Sequence, residues 1–229
     1  MTDHVHDLQS VREATDRLLT AAAKLDNAAL AEESHLPGWS RGHILAHLAR
    51  NADALVNVFE GRPMYESGTA RDADIERDSG RPLLEQLEDV RNSAAAWQTV
   101  AEAPKDWTRT LELRNGVTDS ASRIPFRRLV EVELHHVDLN IGYELADLPD
   151  RFTGQEIEFL AERWSGHPDV PATALTATDG RQWRTGSAGE PAVTVTGSAA
   201  ALLAWLSGRA DKGASLTTEG GQLPALPPL

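Results

Sequence analysis

The sequence predicts an α+β protein, in which an N-terminal four-helix bundle is followed by a smaller α+β domain. Apolar residues recur at helical spacing in four long segments before residue 148. The pattern changes at Leu148-Pro149-Asp150, and the short alternating runs after this junction are typical of strands. The chain of 229 residues is long enough for one large domain or two small ones. We therefore assign residues 1–148 to the bundle and residues 149–229 to the α+β domain.

Four helices are predicted in the first domain. The first covers residues 8–30, and the second covers residues 41–60 with Ser40 as its N-cap. Pro82 precedes a third helix that ends before Pro104, and a fourth helix covers residues 125–143. Four helices of this length are typical of a bundle.

Two segments of the first domain lack a helical period. Residues 64–80 are polar, and we interpret them as a long loop with at most one helical turn. Residues 107–119 are interpreted as irregular or as a short hairpin around Asn115-Gly116, because this dipeptide suits a tight turn.

The second domain is predicted to mix helices with short strands. A helix is expected over residues 154–165, and a second one follows a Ser198 cap and ends before Gly208. Period-two alternation or β-branched content predicts strands at residues 174–178, 182–185, 192–196 and 214–218. The Pro-rich tail, residues 223–229, is expected to be extended.

Composition excludes several classes of function. Acidic residues outnumber basic ones by 35 to 22, which gives a net charge of −13 and disfavours binding to nucleic acid or to an anionic membrane surface. Cysteine is absent, so thiolate metal sites and a cysteine nucleophile are excluded. The sequence shows no apolar run of about 18 residues and no signal-peptide pattern, and we expect a cytoplasmic protein.

Histidine and carboxylate side chains share helix faces in two of the predicted helices. His43 and His47 are four residues apart on the second helix, and Glu131 and His135 have the same spacing on the fourth. Zinc accepts imidazole and carboxylate ligands, so His47, Glu131 and His135 could form a three-ligand site with Asp138 orienting a histidine. On periodicity alone, a solvated helix pair and a buried core or boundary histidine are more common than a metal site.

These residues lie in motifs that resemble a known family. The segment LPGWSRGHILAHLARNADALVN, residues 36–57, is similar to the N-terminal signature of mycothiol-dependent maleylpyruvate isomerases, which belong to the DinB-like superfamily of metal-binding four-helix bundles. PMYESGTARDADI (residues 63–75), RRLVEVELHHVDLN (residues 127–140) and WLSGRADKG (residues 205–213) resemble further family segments in the same order. The likeness spans nearly the whole chain.

The resemblance implies a zinc ion held by His47, Glu131 and His135, which would be the catalytic centre, with His43 as a neighbour and not a ligand. It also implies mycothiol, a small-molecule thiol of actinobacteria, as the co-substrate. Zinc would hold its sulfur as a thiolate, which adds reversibly to maleylpyruvate and releases fumarylpyruvate, a cis–trans isomerisation of gentisate-type aromatic catabolism.

An anionic substrate needs local cations in an acidic protein. Arg71 and Arg209 both lie in segments that resemble the family, and they are our candidates for contact with maleylpyruvate or mycothiol. The second domain is expected to contribute to the active-site cleft.

The sequence leaves three alternatives open. The same metal site could support a mycothiol S-transferase that acts on electrophiles, or the bundle could be a non-catalytic, ligand-binding regulatory protein. Hydrolysis by a zinc-bound water is a weaker option, because no extra general base accompanies the three ligands. A His/His/Glu set also accepts divalent metals other than zinc.

Overall fold

The computed structural model describes residues 3–103, 105–209 and 213–227. The chain divides into two compact units, Met1–Tyr143 and Glu144–Leu229, whereas the sequence placed the boundary at residue 148. The first unit is helical and the second combines helices with a small sheet, which confirms the predicted α+β class. Pro104, residues 210–212 of the WLSGRADKG segment and residues 228–229 of the tail lie outside the described residues.

The first unit contains the four predicted helices and two shorter ones. Helix α3 packs against α5 and α1 packs against α6, and their apolar faces form the core of this unit. Large side chains in this core include Leu18, Leu45, Trp97 and Leu129, all almost fully buried. The helices are α1 (His4–Ala22), α2 (Asn27–Leu30), α3 (Arg41–Phe59), α4 (Gly68–Ser79), α5 (Leu83–Glu102) and α6 (Ile124–Asp138).

Two predicted helices were too long. The first ends at Ala22, and the chain restarts as the short α2, where the Asp26 side chain accepts a hydrogen bond from the backbone of Ala29. The fourth ends at Asp138, because Asn140 and Gly142 have φ angles of 55° and 89° that a right-handed helix does not allow.

The prediction of a long loop at residues 64–80 is wrong, because α4 fills most of that segment. Ser67 caps this helix by accepting a hydrogen bond from the backbone of Ala70 at 3.0 Å. The helix buries Ile75 and Asp78 and has no apolar stripe. The buried Asp78 carboxylate instead pairs with arginines of α3, of α4 itself and of the following turn. Hydrophobic periodicity could not reveal a helix that is anchored in this way.

The segment before α6 forms the predicted hairpin. Strand β1 (Thr110–Glu112) pairs antiparallel with β2 (Thr118–Ser120), and a single 3₁₀ turn connects them. Asn115 and Gly116 have φ angles of 59° and 72°, the left-handed conformation that these two residue types adopt most readily.

The second unit is built on a four-stranded sheet with the order β4-β3-β5-β6. Strands β3 and β5 are parallel and the other pairs are antiparallel. The Ser198 hydroxyl caps α8, and Gly208 ends it with a φ angle of 67°, as predicted. The elements are α7 (Asp150–Arg163), β3 (Thr173–Ala177), β4 (Gln182–Thr185), β5 (Val193–Gly197), α8 (Ala199–Ser207) and β6 (Thr217–Glu219). No helix among the described residues has the length and apolar content needed to cross a membrane.

Candidate metal centre

Three side chains that could bind a metal converge between α3 and α6. His47 comes from α3, and Glu131 and His135 come from successive turns of α6. Each offers one ligand atom, and these atoms all lie within 4.8 Å of one another. His47 Nε2 is 2.9 Å from Glu131 Oε2, and His135 Nε2 is 3.2 Å from the same oxygen. Both imidazoles therefore direct the same nitrogen towards one carboxylate oxygen.

The outer nitrogens of the two imidazoles also have partners. His135 Nδ1 lies 2.9 Å from Oδ2 of Asp138, whose side chain is almost fully buried. A carboxylate can only accept here, so His135 carries a proton on Nδ1. Arg71 donates from Nη2 to His47 Nδ1 at 3.2 Å and also pairs with Asp72. The sequence predicted Asp138 as a residue that orients a ligand histidine and Arg71 as a contact of the substrate or mycothiol, and in the structure each lies against one histidine of the cluster.

Burial and mutual hydrogen bonding set the charges of the cluster. Burial lowers the pKa of His47 to about 4, and its contact with Glu131 only partly opposes this effect. Burial alone would raise the pKa of Glu131, but hydrogen bonds to His135 and His47 outweigh it and hold that pKa well below its ordinary value. Burial also acts to lower the pKa of His135, but hydrogen bonds to Asp138 and Glu131 outweigh it and raise this pKa. Near neutral pH, His47 is neutral and Glu131 is a carboxylate.

His43 forms hydrogen bonds with Ser40 that stabilise the first turn of α3. Its backbone amide donates to the Ser40 hydroxyl, and its Nδ1 accepts from the Ser40 backbone amide at 3.2 Å. This reciprocal pair is a capping box in which histidine replaces the usual acidic residue. His43 Nε2 lies 3.1 Å from Glu76 of α4. The indole of Trp39 packs beside both histidines of α3, with ring centroids 6.1 Å from His43 and 5.5 Å from His47.

Two residues near the cluster were missed by sequence reasoning. Arg128 is completely buried one turn before Glu131, and it donates to Leu48 O at 3.0 Å and to Asn51 Oδ1 at 2.7 Å. Burial lowers its pKa to about 10, so it remains a cation beside the carboxylate. Tyr65 lies under the guanidinium of Arg71, which is 5.8 Å from the centre of its ring. The spacing of three residues between Arg128 and Glu131 was a signal of a shared helix face, whereas the only signal at Tyr65 was its place in the family-like segment of residues 63–75.

Arg209, the second predicted substrate-binding arginine, belongs to the other unit. It follows Gly208 at the end of α8, and its Nη1 donates to the carbonyl of Ser207 at 3.3 Å. Its contact with a substrate stays a prediction.

The donor set fits a divalent metal with one open position. Two imidazole nitrogens and one carboxylate oxygen are the ligands of several catalytic zinc sites. With a metal bound, the Asp138 contact would keep the ring proton of His135 on Nδ1 and leave the lone pair of Nε2 for the ion. Glu131 supplies a negative charge at the point on which both rings converge. In the part of the chain that the structure describes, this is the group of three whose ligand atoms could hold an ion.

Comparison with protein families gives two matches that together span most of the chain. Residues 11–140 match the family described as the mycothiol maleylpyruvate isomerase N-terminal domain. Residues 147–228 match the family described as the C-terminal domain of the same proteins. No curated protein sequence matches the chain.

Solved structures match nearly the whole length of the chain. A crystal structure of the mycothiol-dependent maleylpyruvate isomerase superposes with a TM-score of 0.87 at 25% sequence identity, covering 99% of this chain and 97% of that one. A variant of that isomerase with one histidine replaced by alanine gives the same values.

Proposed function

Because this chain belongs to the mycothiol maleylpyruvate isomerase family, we propose that it converts maleylpyruvate to fumarylpyruvate with mycothiol as its thiol and zinc as its metal. The observation that carries this proposal is the convergence of His47, Glu131 and His135 within 4.8 Å, with the guanidinium of Arg71 beside them. A metal-binding cluster next to a cation suits a reaction between a thiolate and an anionic substrate.

His47, Glu131 and His135 would hold the zinc ion. When bound, zinc supplies a positive charge that keeps the sulfur of mycothiol deprotonated near neutral pH. Asp138 accepts a hydrogen bond from Nδ1–H of His135 and thereby keeps Nε2 of that ring directed into the site. Arg128 places a fixed positive charge behind Glu131, which favours the ionised carboxylate. His43 completes the capping box with Ser40 in the first turn of α3, the helix that carries His47.

Arg71 Nη2 cannot donate to His47 Nδ1 and bind a carboxylate of the substrate at the same time. An arginine can only donate, so its hydrogen bond to His47 Nδ1 requires the proton of the neutral ring to be on Nε2. Ligation through Nε2 requires that proton to be on Nδ1 instead, and Arg71 must then give up the bond. With a metal held through Nε2, Arg71 would lose only its bond to His47, and its Nη2 would be available for a carboxylate of the substrate while Nη1 remains paired with Asp72.

The reaction needs no net proton transfer. The sulfur–carbon bond forms as the carbon–carbon π bond breaks, and the electron pair moves to the conjugated carbonyl oxygen of maleylpyruvate. The former double bond is then free to rotate, and return of the electron pair expels the thiolate from the trans product. We assign Arg71 to the anionic groups of the substrate, and we keep Arg209 as a second candidate for this role.

The proposed function is tested by incubating the zinc-loaded protein with maleylpyruvate and mycothiol and following fumarylpyruvate by NMR. We expect rapid isomerisation that requires both the thiol and the metal and that returns the thiol unconsumed. Isomerisation at the uncatalysed rate, together with formation of a thioether from mycothiol and a reactive electrophile, would contradict the proposal and favour the S-transferase. Alanine at Arg209, with Arg184→Ala as a control on β4 of the same unit, tests whether Arg209 lowers the KM for maleylpyruvate.

A further inference from the structure

A cavity lies in the first unit, between the loop that joins α3 to α4 and the β1–β2 hairpin. Its volume is about 630 Å³, within the range of sites that bind small molecules. The loop contributes Met64 and Tyr65, and the hairpin contributes Glu112 and Arg114. The two walls face each other closely, because Arg114 Nη2 lies 3.7 Å from the place where a Cβ on Gly68 would lie.

Several polar side-chain groups that line this cavity have no hydrogen-bond or ion-pair partner among the described residues. The Arg114 guanidinium and the Glu112 carboxylate are exposed, and neither makes a hydrogen bond or ion pair with any residue that the structure describes. They line the same cavity and yet do not pair with each other. Arg109 donates from Nη2 to Phe59 O at 2.6 Å, but its buried Nε has no partner among the described residues.

This combination of groups favours a ligand rich in hydroxyl groups. Arginine only donates hydrogen bonds and a carboxylate only accepts them, whereas a hydroxyl group does both. A small anion would suit the arginines of the lining, Arg62, Arg109 and Arg114, but would leave the Glu112 carboxylate without a hydrogen-bond donor. A polyol can satisfy both side chains together, and the apolar wall formed by Met64 and Leu111 suits the carbon face of a sugar ring.

Tyr65 connects this cavity to the metal centre. It lines the cavity, and its ring also lies 5.8 Å from the guanidinium carbon of Arg71. Arg71 in turn is 3.2 Å from Nδ1 of the proposed zinc ligand His47. Tyr65 and Arg71 therefore form a continuous line of contacts from the cavity to a histidine of the cluster.

We propose that this cavity binds the polyhydroxylated body of the thiol co-substrate while its sulfur lies at the metal centre. In mycothiol this body is a sugar joined to a cyclitol, and it is linked to an N-acetylcysteine that carries the sulfur. The proposal rests on the proposed function. It assigns Arg114 and Glu112 to recognition of the thiol, a role separate from the chemistry at His47 and from binding of maleylpyruvate.

The test compares two thiols on the zinc-loaded protein by isothermal titration calorimetry. Mycothiol carries the polyol body, and N-acetylcysteine presents the same sulfur without it. The variants are Arg114→Ala and Glu112→Gln, both at exposed positions where the fold should tolerate the change. Arg91→Ala is the matched control, because Arg91 is an exposed arginine of α5 that lines a different groove and has no partner among the described residues.

Both cavity variants should bind mycothiol at least about tenfold more weakly, the loss expected for one hydrogen bond to a charged group. Their affinity for N-acetylcysteine should equal that of the wild type, and Arg91→Ala should bind both thiols normally. Unchanged mycothiol affinity in both cavity variants would overturn the assignment of the cavity and leave the proposed function standing. A wild-type protein that binds neither thiol would overturn the proposed function, and this assignment with it.

Discussion

Helix α6 presents two histidine–glutamate pairs that differ in what surrounds them. On one face, Glu131 and His135 meet His47 from α3. On the other face, Glu133 accepts hydrogen bonds from Arg17 of α1 at 2.5 Å and from Tyr143 at 3.0 Å. His136 stacks on the ring of Tyr143 with a centroid separation of 4.0 Å. Residues of the same types, only one or two positions apart, thus enter different environments.

The electrostatics of the two faces diverge accordingly. Hydrogen bonds to two histidines hold the pKa of Glu131 well below its ordinary value, against the effect of burial. Burial raises the pKa of Glu133, and Arg17 and Tyr143 only partly oppose it. A cation from α1 already neutralises Glu133, whereas Glu131 faces two rings that can bind a metal. The neighbouring helix therefore decides whether such a pair becomes a candidate metal centre or a structural contact.

The largest difference in turnover should be between variants in which His135 or His136 is replaced singly. His135→Ala removes a proposed zinc ligand, and turnover of maleylpyruvate should fall more than about 100-fold, beyond the loss typical of supporting residues. His136→Gln should leave turnover of the folded protein close to that of the wild type and lower its stability by about 1–3 kcal/mol. Steady-state kinetics and thermal unfolding measure both quantities. Equal loss of turnover in the two variants would remove the distinction between the faces.

A smaller effect is expected from the carboxylates, because Asp138 acts through His135. Asp138→Asn should weaken zinc binding by about 10- to 100-fold, since the ring loses its charged acceptor. Glu133→Gln is the matched amide substitution on the other face and should not change zinc affinity. Competition with a chromogenic chelator gives both constants. Zinc affinity that is lower in Glu133→Gln than in Asp138→Asn would show that the metal lies elsewhere.

The two arginines that contact these faces should separate binding from stability. Arg71→Ala should keep its zinc and raise the KM for maleylpyruvate about tenfold, the loss of one charged hydrogen bond. Arg17→Ala should keep the wild-type KM but lower the midpoint of thermal unfolding, because it leaves the buried Glu133 without its cation. If Arg71→Ala loses zinc, Arg71 supports the metal and does not bind the substrate.

The smallest predicted effect concerns the phenol beside His136. Tyr143→Phe keeps the stacked ring and removes the hydrogen bond to Glu133, so the free energy of unfolding should fall by about 1 kcal/mol. Denaturant titration measures this change, and the zinc content should not alter. A change in zinc content would mean that the two faces of α6 are coupled.

Sequence periodicity was sufficient to predict the limits of a helix that buries an apolar stripe and has standard caps. The predicted limits of α3 and α5 agree with the structure to within one or two residues, and the caps Ser40 and Ser198 were identified correctly. Helix α4 was missed because a buried ion-pair cluster around Asp78 anchors it, and such a cluster depends on arginines that fold together from separate elements.

The candidate metal centre could be predicted in part for the same physical reason. Glu131 and His135 share a helix face by their spacing, so their proximity follows from local structure. The partnership with His47 was proposed from the metal sites typical of helix bundles and from the family resemblance, because no local rule brings α3 against α6. Tyr65 and the partners of Arg128 were beyond reach, since their roles depend on how a loop folds back and on what packs around a buried charge.

The zinc content of the untagged protein, measured by elemental mass spectrometry beside His47→Ala, Glu131→Ala and His135→Ala, tests the candidate metal centre directly. We expect one zinc ion per wild-type chain and its loss in each of the three variants, while His136→Gln retains it. A wild-type protein that binds no zinc after incubation with the ion would contradict the proposed metal centre. Retention of zinc in all three ligand variants would contradict it equally.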